Sequence, residues 1–128
     1  MKKGLKAIDA RGAERLAKSG AVLVDIREDG EYTRSCIPGA IHLPLSRLDD
    51  DDLATPQDHA VVFLCASGGR TRIHESRLAE KAGKRPAYVM EGGLAAWHQA
   101  GLPTQPGEVG AQKRSGAARG FLARFFAR

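Results

Sequence analysis

The feature that most constrains this chain is the run Val61-Val62-Phe63-Leu64, which passes without a break into Cys65-Ala66-Ser67-Gly68-Gly69-Arg70-Thr71. Four consecutive apolar residues ahead of a Gly-rich turn read as a strand buried on both faces, as in parallel sheets. Cys65 then falls at the carboxyl end of that strand, where open α/β sheets bind ligands. Gly68 and Gly69 let the loop curl so that its N–H groups point inward as an anion-binding nest. A helix expected from about Thr71 to Ala82 aims its positive end at the same spot. The N–H groups, the helix dipole and the Arg70 guanidinium all favour a thiolate at Cys65, and hence a reactive nucleophile. A buried cysteine can also be inert packing. An apolar core cysteine, however, has no need of two glycines and an arginine after it.

Strands and helices alternate along the rest of the chain. Leu5 to Ile8 reads as a short strand, with Asp9 as N-cap of a helix through Lys18 whose apolar side carries Ala13, Leu16 and Ala17. Val22 to Asp25 is a second buried strand, Arg27 to Ser35 a turn and short helix, and Ala40 to Leu43 a short strand. Ser46 is placed to cap a helical turn through Leu48. The aspartate run Asp49 to Asp52 lacks the alternating ligands of a calcium loop and reads as a solvated acidic loop. In the helix after the Cys65 loop, Ile73, Leu78, Ala79 and Ala82 supply the apolar face, and Gly83 ends it. Ala87 to Met90 is the last strand, Gly92-Gly93 a tight turn, and Leu94 to Ala100 the last helix. This order predicts an α/β layer fold with a mainly parallel sheet.

A length of 128 residues fits one domain. Hydrophobic and charged contents of 42% and 27% are ordinary for a globular chain. Four of the five net positive charges lie in residues 107–128, where Lys113, Arg114, Arg119, Arg124 and Arg128 face only Glu108. The basic pI therefore belongs to the tail and does not mark the domain as a nucleic-acid binder. We expect a domain over 1–105 and a weakly ordered, basic Gly/Ala/Arg/Phe-rich tail over 106–128. If the end of that tail becomes helical, Phe121, Leu122, Phe125 and Phe126 share a side, with Arg124 and Arg128 off it. That pattern suits contact between Phe121–Arg128 and an anionic membrane or a partner, with packing on the domain or plain disorder as alternatives. No apolar run approaches the roughly 18 residues of a membrane span, the N-terminal stretch has no apolar core of signal-peptide length, and two cysteines make no disulfide framework. Cytoplasm is the expected compartment.

The loop Cys65 to Thr71 resembles the active-site loop of the rhodanese (sulfurtransferase) family. Two flanking pieces agree: Leu23-Val24-Asp25-Ile26-Arg27-Glu28 with Glu31-Tyr32 and Ile37-Pro38-Gly39-Ala40-Ile41-His42-Leu43-Pro44-Leu45, and Tyr88-Val89-Met90-Glu91-Gly92-Gly93-Leu94-Ala95-Ala96-Trp97 closing at Gly101-Leu102-Pro103. The resemblance covers about residues 5 to 104. It implies a five-stranded sheet with helices on both faces and no metal or organic cofactor. It also implies a persulfide on Cys65, loaded by thiosulfate or a persulfide donor and discharged to cyanide or a thiol, including a protein cysteine. Backbone N–H groups of Ala66, Ser67, Gly68, Gly69, Arg70 and Thr71 would hold the anionic sulfur.

Arg70 either binds the donor's oxyanion or holds the loop's shape, and Thr71 reads as the cap of the following helix. Some family members carry a basic residue directly after the cysteine; Ala66 stands there in this chain, which weighs against thiosulfate. Asp25 and Arg27 match the family's Asp-x-Arg and read as a supporting ion pair. Glu31, Tyr32 and His42 read as structural, and Trp97 and Met90 as core. Cys36 stands where the family often has histidine and is either structural or a resolving thiol for Cys65. His74 is either a surface histidine or faces the pocket mouth. Two other functions compete: a non-catalytic binding or regulatory module, and a cysteine-dependent phosphatase. Phosphatases that share this fold have one more residue between Cys and Arg, giving a wider cradle, and the shorter loop here suits a sulfur atom.

Overall fold

The computed structural model describes residues 4–109. Its centre is strand β4 (Val61–Leu64), buried at every position. Val61, Phe63 and Cys65 enter one apolar cluster, and Val62 and Leu64 the other. This two-sided burial is what the unbroken apolar run requires, because successive side chains of a strand point to opposite faces. Strands β2 (Val22–Asp25) and β5 (Ala87–Met90) flank it, with β3 (Ile41–His42) and β1 (Lys6–Ile8) at the edges. The order is β1-β5-β4-β2-β3 and every pairing is parallel. The expected α/β fold with a five-stranded parallel sheet is the one observed.

Helices cover both faces. Ala10 and Ala13 of α1 (Ala10–Lys18) and Trp97 of α5 (Gly93–Gln99) fill one side, and Leu78 and Ala82 of α4 (Glu75–Ala82) the other. Asp9 caps α1 as expected, accepting the Gly12 N–H at 2.8 Å. Helix α2 (Asp29–Arg34) lies beyond the carboxyl end of β2, its start tied by the Glu28 N–H donating to Glu31 Oε1 at 3.1 Å. Trp97 and Met90 are core, and Trp97 Nε1 donates to Pro103 O at 2.8 Å.

The helix expected from Thr71 to Ala82 is two helices. Helix α3 (Gly69–Ile73) stops at His74, and α4 resumes at Glu75. The two have different tasks, α3 pointing its start at Cys65 and α4 laying Leu78 and Ala82 on the sheet. The break leaves Ile73 off the apolar face, 76% exposed, rather than in the core. Thr71 is not the cap. Gly68, in the left-handed region at φ 99°, holds that position, and Thr71 Oγ1 inside the first turn donates back to Gly68 O at 3.0 Å. Nor does Ser46 cap the 3-10 turn Leu45–Arg47, which Pro44 precedes; Ser46 Oγ donates to Glu28 Oε1 at 2.6 Å. The acidic loop pairs with neighbouring arginines, Asp51 with Arg47 and Asp49 with Arg77, both at 3.5 Å.

Ordered contacts continue past residue 105. Cys36 and Gln105 exchange N–H···O bonds at 2.7 and 2.8 Å, and the Gly107 N–H donates to Thr33 O at 3.2 Å. The reading of Phe121–Arg128 lies outside the described residues. Among the described residues no helix is long and apolar enough to cross a membrane.

Candidate active site

The site is built on the carboxyl ends of β2 and β4. Register puts Asp25 opposite Leu64, so the last residue of β2 sits beside the strand end that delivers Cys65. Cys65 is 1% exposed and its thiol is free. The Gly68 N–H donates to Sγ at 3.1 Å, and Thr71 Oγ1 lies 4.0 Å from Sγ. Burial pushes the Cys65 thiol pKa up, but hydrogen bonds from the backbone N–H groups of Thr71, Gly68, Arg70 and Ser67 outweigh it, and the net shift is down. These N–H groups form the nest that Gly68 and Gly69 were expected to allow.

What orients the nest comes from a distant part of the chain. The first turn of α5 donates two of its otherwise unpaired N–H groups to the loop, Leu94 to Cys65 O at 2.8 Å and Ala95 to Ala66 O at 3.0 Å. In a trans peptide the N–H points opposite to the C=O. Fixing Ala66 O toward α5 therefore turns the Ser67 N–H toward the sulfur. The approach depends on the missing side chains of Gly93 and Gly68, whereas a Cβ on Gly92 would meet Ala96 of α5 instead. A Cβ on Gly93 would collide with the Cys65 and Ala66 carbonyl groups, and one on Gly68 would meet Gly92 N at 3.2 Å. Gly92 and Gly93 belong to the site although sequence reading placed them only in a turn. The signal was the doubled glycine directly before a helix.

Arg70 is engaged by a carboxylate. Its guanidinium grips Glu31 of α2 in two parallel bonds, Nη1 to Oε1 at 2.9 Å and Nη2 to Oε2 at 2.8 Å. Of the two roles open to Arg70, holding the loop is the one this geometry displays. The Arg70 hydrogen bonds, opposed in part by burial, hold the Glu31 carboxyl down to about 2. Glu31 is thus a direct partner of the loop.

Behind the loop lies a buried polar network. Arg27 binds Asp25 through Nε at 3.0 Å and Nη2 at 2.8 Å, and Nη2 also donates to Ser35 O at 2.6 Å. Both side chains are almost fully buried. His42 Nε2 lies 2.7 Å from Arg27 O and so carries the proton it donates. The His42 ring stacks on Tyr32, centroids 4.1 Å apart. Asp25, Arg27, Tyr32 and His42 thus form one buried cluster at the end of β2. Cys36 is buried and free, and burial, the largest influence, leaves its thiol pKa raised. His74 sits at the α3–α4 break, its Nδ1 3.4 Å from Arg77 Nη1.

A rhodanese-like domain model matches residues 6–100. The chain belongs to the rhodanese family. It is 39% identical over 87 residues to an uncharacterized protein of Synechocystis, covering 68% of this chain and 48% of that one, so it spans about half the length of that relative. It is 35% identical over 92 residues to a sulfurtransferase of Allochromatium vinosum, covering 71% and 85%. It is also 29% identical over 104 residues to a thiosulfate sulfurtransferase of Stutzerimonas stutzeri, covering 81% and 91%. Among solved structures, a Rhodopseudomonas palustris protein described as a possible tyrosine phosphatase superposes with a TM-score of 0.61 at 33% identity, covering 79% of this rhodanese chain and 85% of that one.

Proposed function

We propose that this rhodanese is a sulfurtransferase that carries sulfane sulfur as a persulfide on Cys65. The observation that carries the proposal is the buried Cys65 thiol at the end of the central strand, its Sγ accepting the Gly68 N–H at 3.1 Å inside a Gly-rich loop whose backbone N–H groups favour the thiolate. In the first half-reaction the Cys65 thiolate attacks the outer sulfur of the donor. An S–S bond forms to Cys65, the donor's S–S bond breaks, and its electron pair leaves with sulfite (from thiosulfate) or a thiolate (from a persulfide). In the second, a cyanide or thiolate acceptor attacks the outer sulfur of the Cys65 persulfide, and the thiolate returns. Negative charge sits on the transferred sulfur between the halves, where the N–H groups of Ser67, Gly68, Arg70 and Thr71 stabilise it without side-chain reorganisation. The expected kinetics are ping-pong.

The name of the A. vinosum relative supports this reading. A phosphatase reading is weaker. Four residues separate Cys65 from Arg70, and the guanidinium that would clasp phosphate is engaged by Glu31. The same proposal takes the acceptor to be a small thiol or a protein cysteine, with no nucleic acid, metal or organic cofactor. It places the protein in the cytoplasm, where two free thiols suit a reducing compartment. A weak contact through Phe121–Arg128 with anionic lipid or a partner belongs to it as well.

The test is intact-protein mass spectrometry after incubation with thiosulfate or cysteine persulfide. One added sulfur atom on Cys65, removed by dithiothreitol and missing in Cys65→Ser, is expected. No adduct from either donor would leave the binding-module reading in its place.

A further inference from the structure

Resting on the sulfur-transfer reading, we propose that Glu31 sets donor selectivity: by engaging Arg70 beside the Cys65 cradle, it withholds the loop's cation from oxyanion donors and leaves the site suited to persulfides. The two donor classes ask different things of a site. Thiosulfate brings two negative charges toward a thiolate, and attack on its outer sulfur expels sulfite, also doubly charged. Both stages call for a cation near the sulfonate oxygens. A protonated persulfide, R–S–SH, arrives neutral. The Cys65 thiolate takes its outer sulfur with the proton, a thiolate R–S⁻ leaves, and the Cys65–S–SH formed loses its proton to water to become the anionic persulfide. Only the transferred sulfur needs support, and the amide nest supplies it.

Arg70 of the loop and Arg27 of the network behind it are both already committed. The loop from Cys65 to Thr71 contains one cation, Arg70, held in a two-bond grip by Glu31 at 2.9 and 2.8 Å. Arg27, behind the loop, is spent on Asp25 and two carbonyls. Ala66 offers no charge directly after the cysteine. Arg70 is near enough for the Cys65 charge to act on it, so its release would be felt at the sulfur. The Arg70–Glu31 pair is only partly exposed, at 33% and 28%, and the carboxylate stays ionised down to about pH 2. The charge that holds Arg70 is therefore present at physiological pH.

Glu31→Gln is the discriminating variant. Gln keeps the oxygen that accepts the Glu28 N–H at the start of α2 and removes the charge that holds Arg70. Two measurements are required. In a Cys65→Ser background, where no sulfur moves, calorimetry with thiosulfate should show binding about tenfold tighter for Glu31→Gln, the scale of one charge-assisted hydrogen bond. With Cys65 present, the ratio of kcat/KM for thiosulfate to that for cysteine persulfide should rise by about the same factor, chiefly through a lower KM for thiosulfate. The double variant Glu31→Gln/Arg70→Gln should lose both gains. Should Glu31→Gln fail to fold, Glu31→Asp, one methylene shorter, is expected to give a smaller shift in the same direction. Unchanged thiosulfate affinity and an unchanged donor ratio in a folded variant would overturn the proposal. If neither donor loads Cys65, the sulfur-transfer reading fails, and the calorimetry still decides on Glu31.

Discussion

The carbonyl oxygen of Cys65 accepts the N–H of Leu94 at 2.8 Å, across 29 residues of chain, so the nucleophile's own peptide group is anchored by the helix that follows the last strand. A loop is usually the mobile part of an α/β domain. Here the loop shares its hydrogen bonds with the first turn of α5, and its geometry is fixed by packing that depends on two glycines.

Gly93→Ala tests that dependence. Gly93 lies at φ 57°, a conformation that costs a residue with a Cβ about 1–2 kcal/mol, and the new methyl would overlap the Cys65 and Ala66 carbonyls. The variant should unfold at lower urea concentration. It should also transfer sulfur far more slowly, although Cys65 and Arg70 are untouched. Parent-like activity would show that the α5 contact is dispensable.

Cys65 should react as a thiolate below the ordinary thiol range. Burial raises its pKa, backbone N–H groups outweigh that and bring it down, and the Arg70 guanidinium, paired with Glu31, acts on the sulfur through its charge alone. Alkylation by iodoacetamide against pH should therefore show an inflection below ~8.5. Gly93→Ala should raise that inflection more than Arg70→Gln does. The reverse order would assign the shift to the guanidinium after all.

Acid should loosen α2 from the loop. The unfolded Glu31 carboxyl takes a proton near 4.5 and the native one only near 2, so the pair's contribution is complete above 4.5 and is lost as pH falls toward 2. Both partners are partly solvated, which limits the effect to about 1 kcal/mol. Melting temperatures of the parent and Glu31→Gln, measured from pH 7 to pH 2.5, should differ most at neutral pH and converge in acid. A constant difference would mean that the carboxylate charge contributes nothing.

Removing Asp25 should be far more damaging than removing a surface acid. Asp25→Ala would strand the Arg27 charge in the interior, at a cost of about 3–5 kcal/mol. Lys18, whose partner Glu14 lies 3.5 Å away on an exposed helix face, should tolerate Lys18→Ala within ~0.5 kcal/mol. Urea denaturation of the two variants makes the comparison.

The sheet was legible because its signals are local. The apolar runs Val22–Asp25, Val61–Leu64 and Ala87–Met90 begin and end in the structure where the sequence places them. Cys65 and its loop were legible for the same reason, since strand, cysteine and glycines are contiguous. What the sequence does not show shares one cause. Ile73 was assigned to a helix face by periodicity, and periodicity does not register the turn at His74. The sequence leaves Arg70 open between binding the donor's oxyanion and holding the loop, because the partner that it grips, Glu31, lies 39 residues earlier. Leu94, Ala95 and Gly107 also act on residues far away in the chain, and propensity and pattern carry no information about such pairings. Arg85 shows this most fully: its guanidinium donates to Leu53 O, Thr55 O and Ala82 O, and no motif marks it.

The strap from Gln105 to Gly107 gives the domain a mechanical axis. Gln105 is zipped to Cys36 by one antiparallel pair of bonds, and Gly107 lies so close to Tyr32 that a Cβ there would meet the ring at 2.6 Å. Any tension applied to the chain beyond Val109 therefore reaches Cys36, Thr33 and Tyr32 before it reaches a strand. Those residues lie in α2 or directly after it, and α2 carries Glu31. The contacts of Gln105 and Gly107 thus tie the carboxyl end of the described chain to the same helix whose carboxylate grips Arg70.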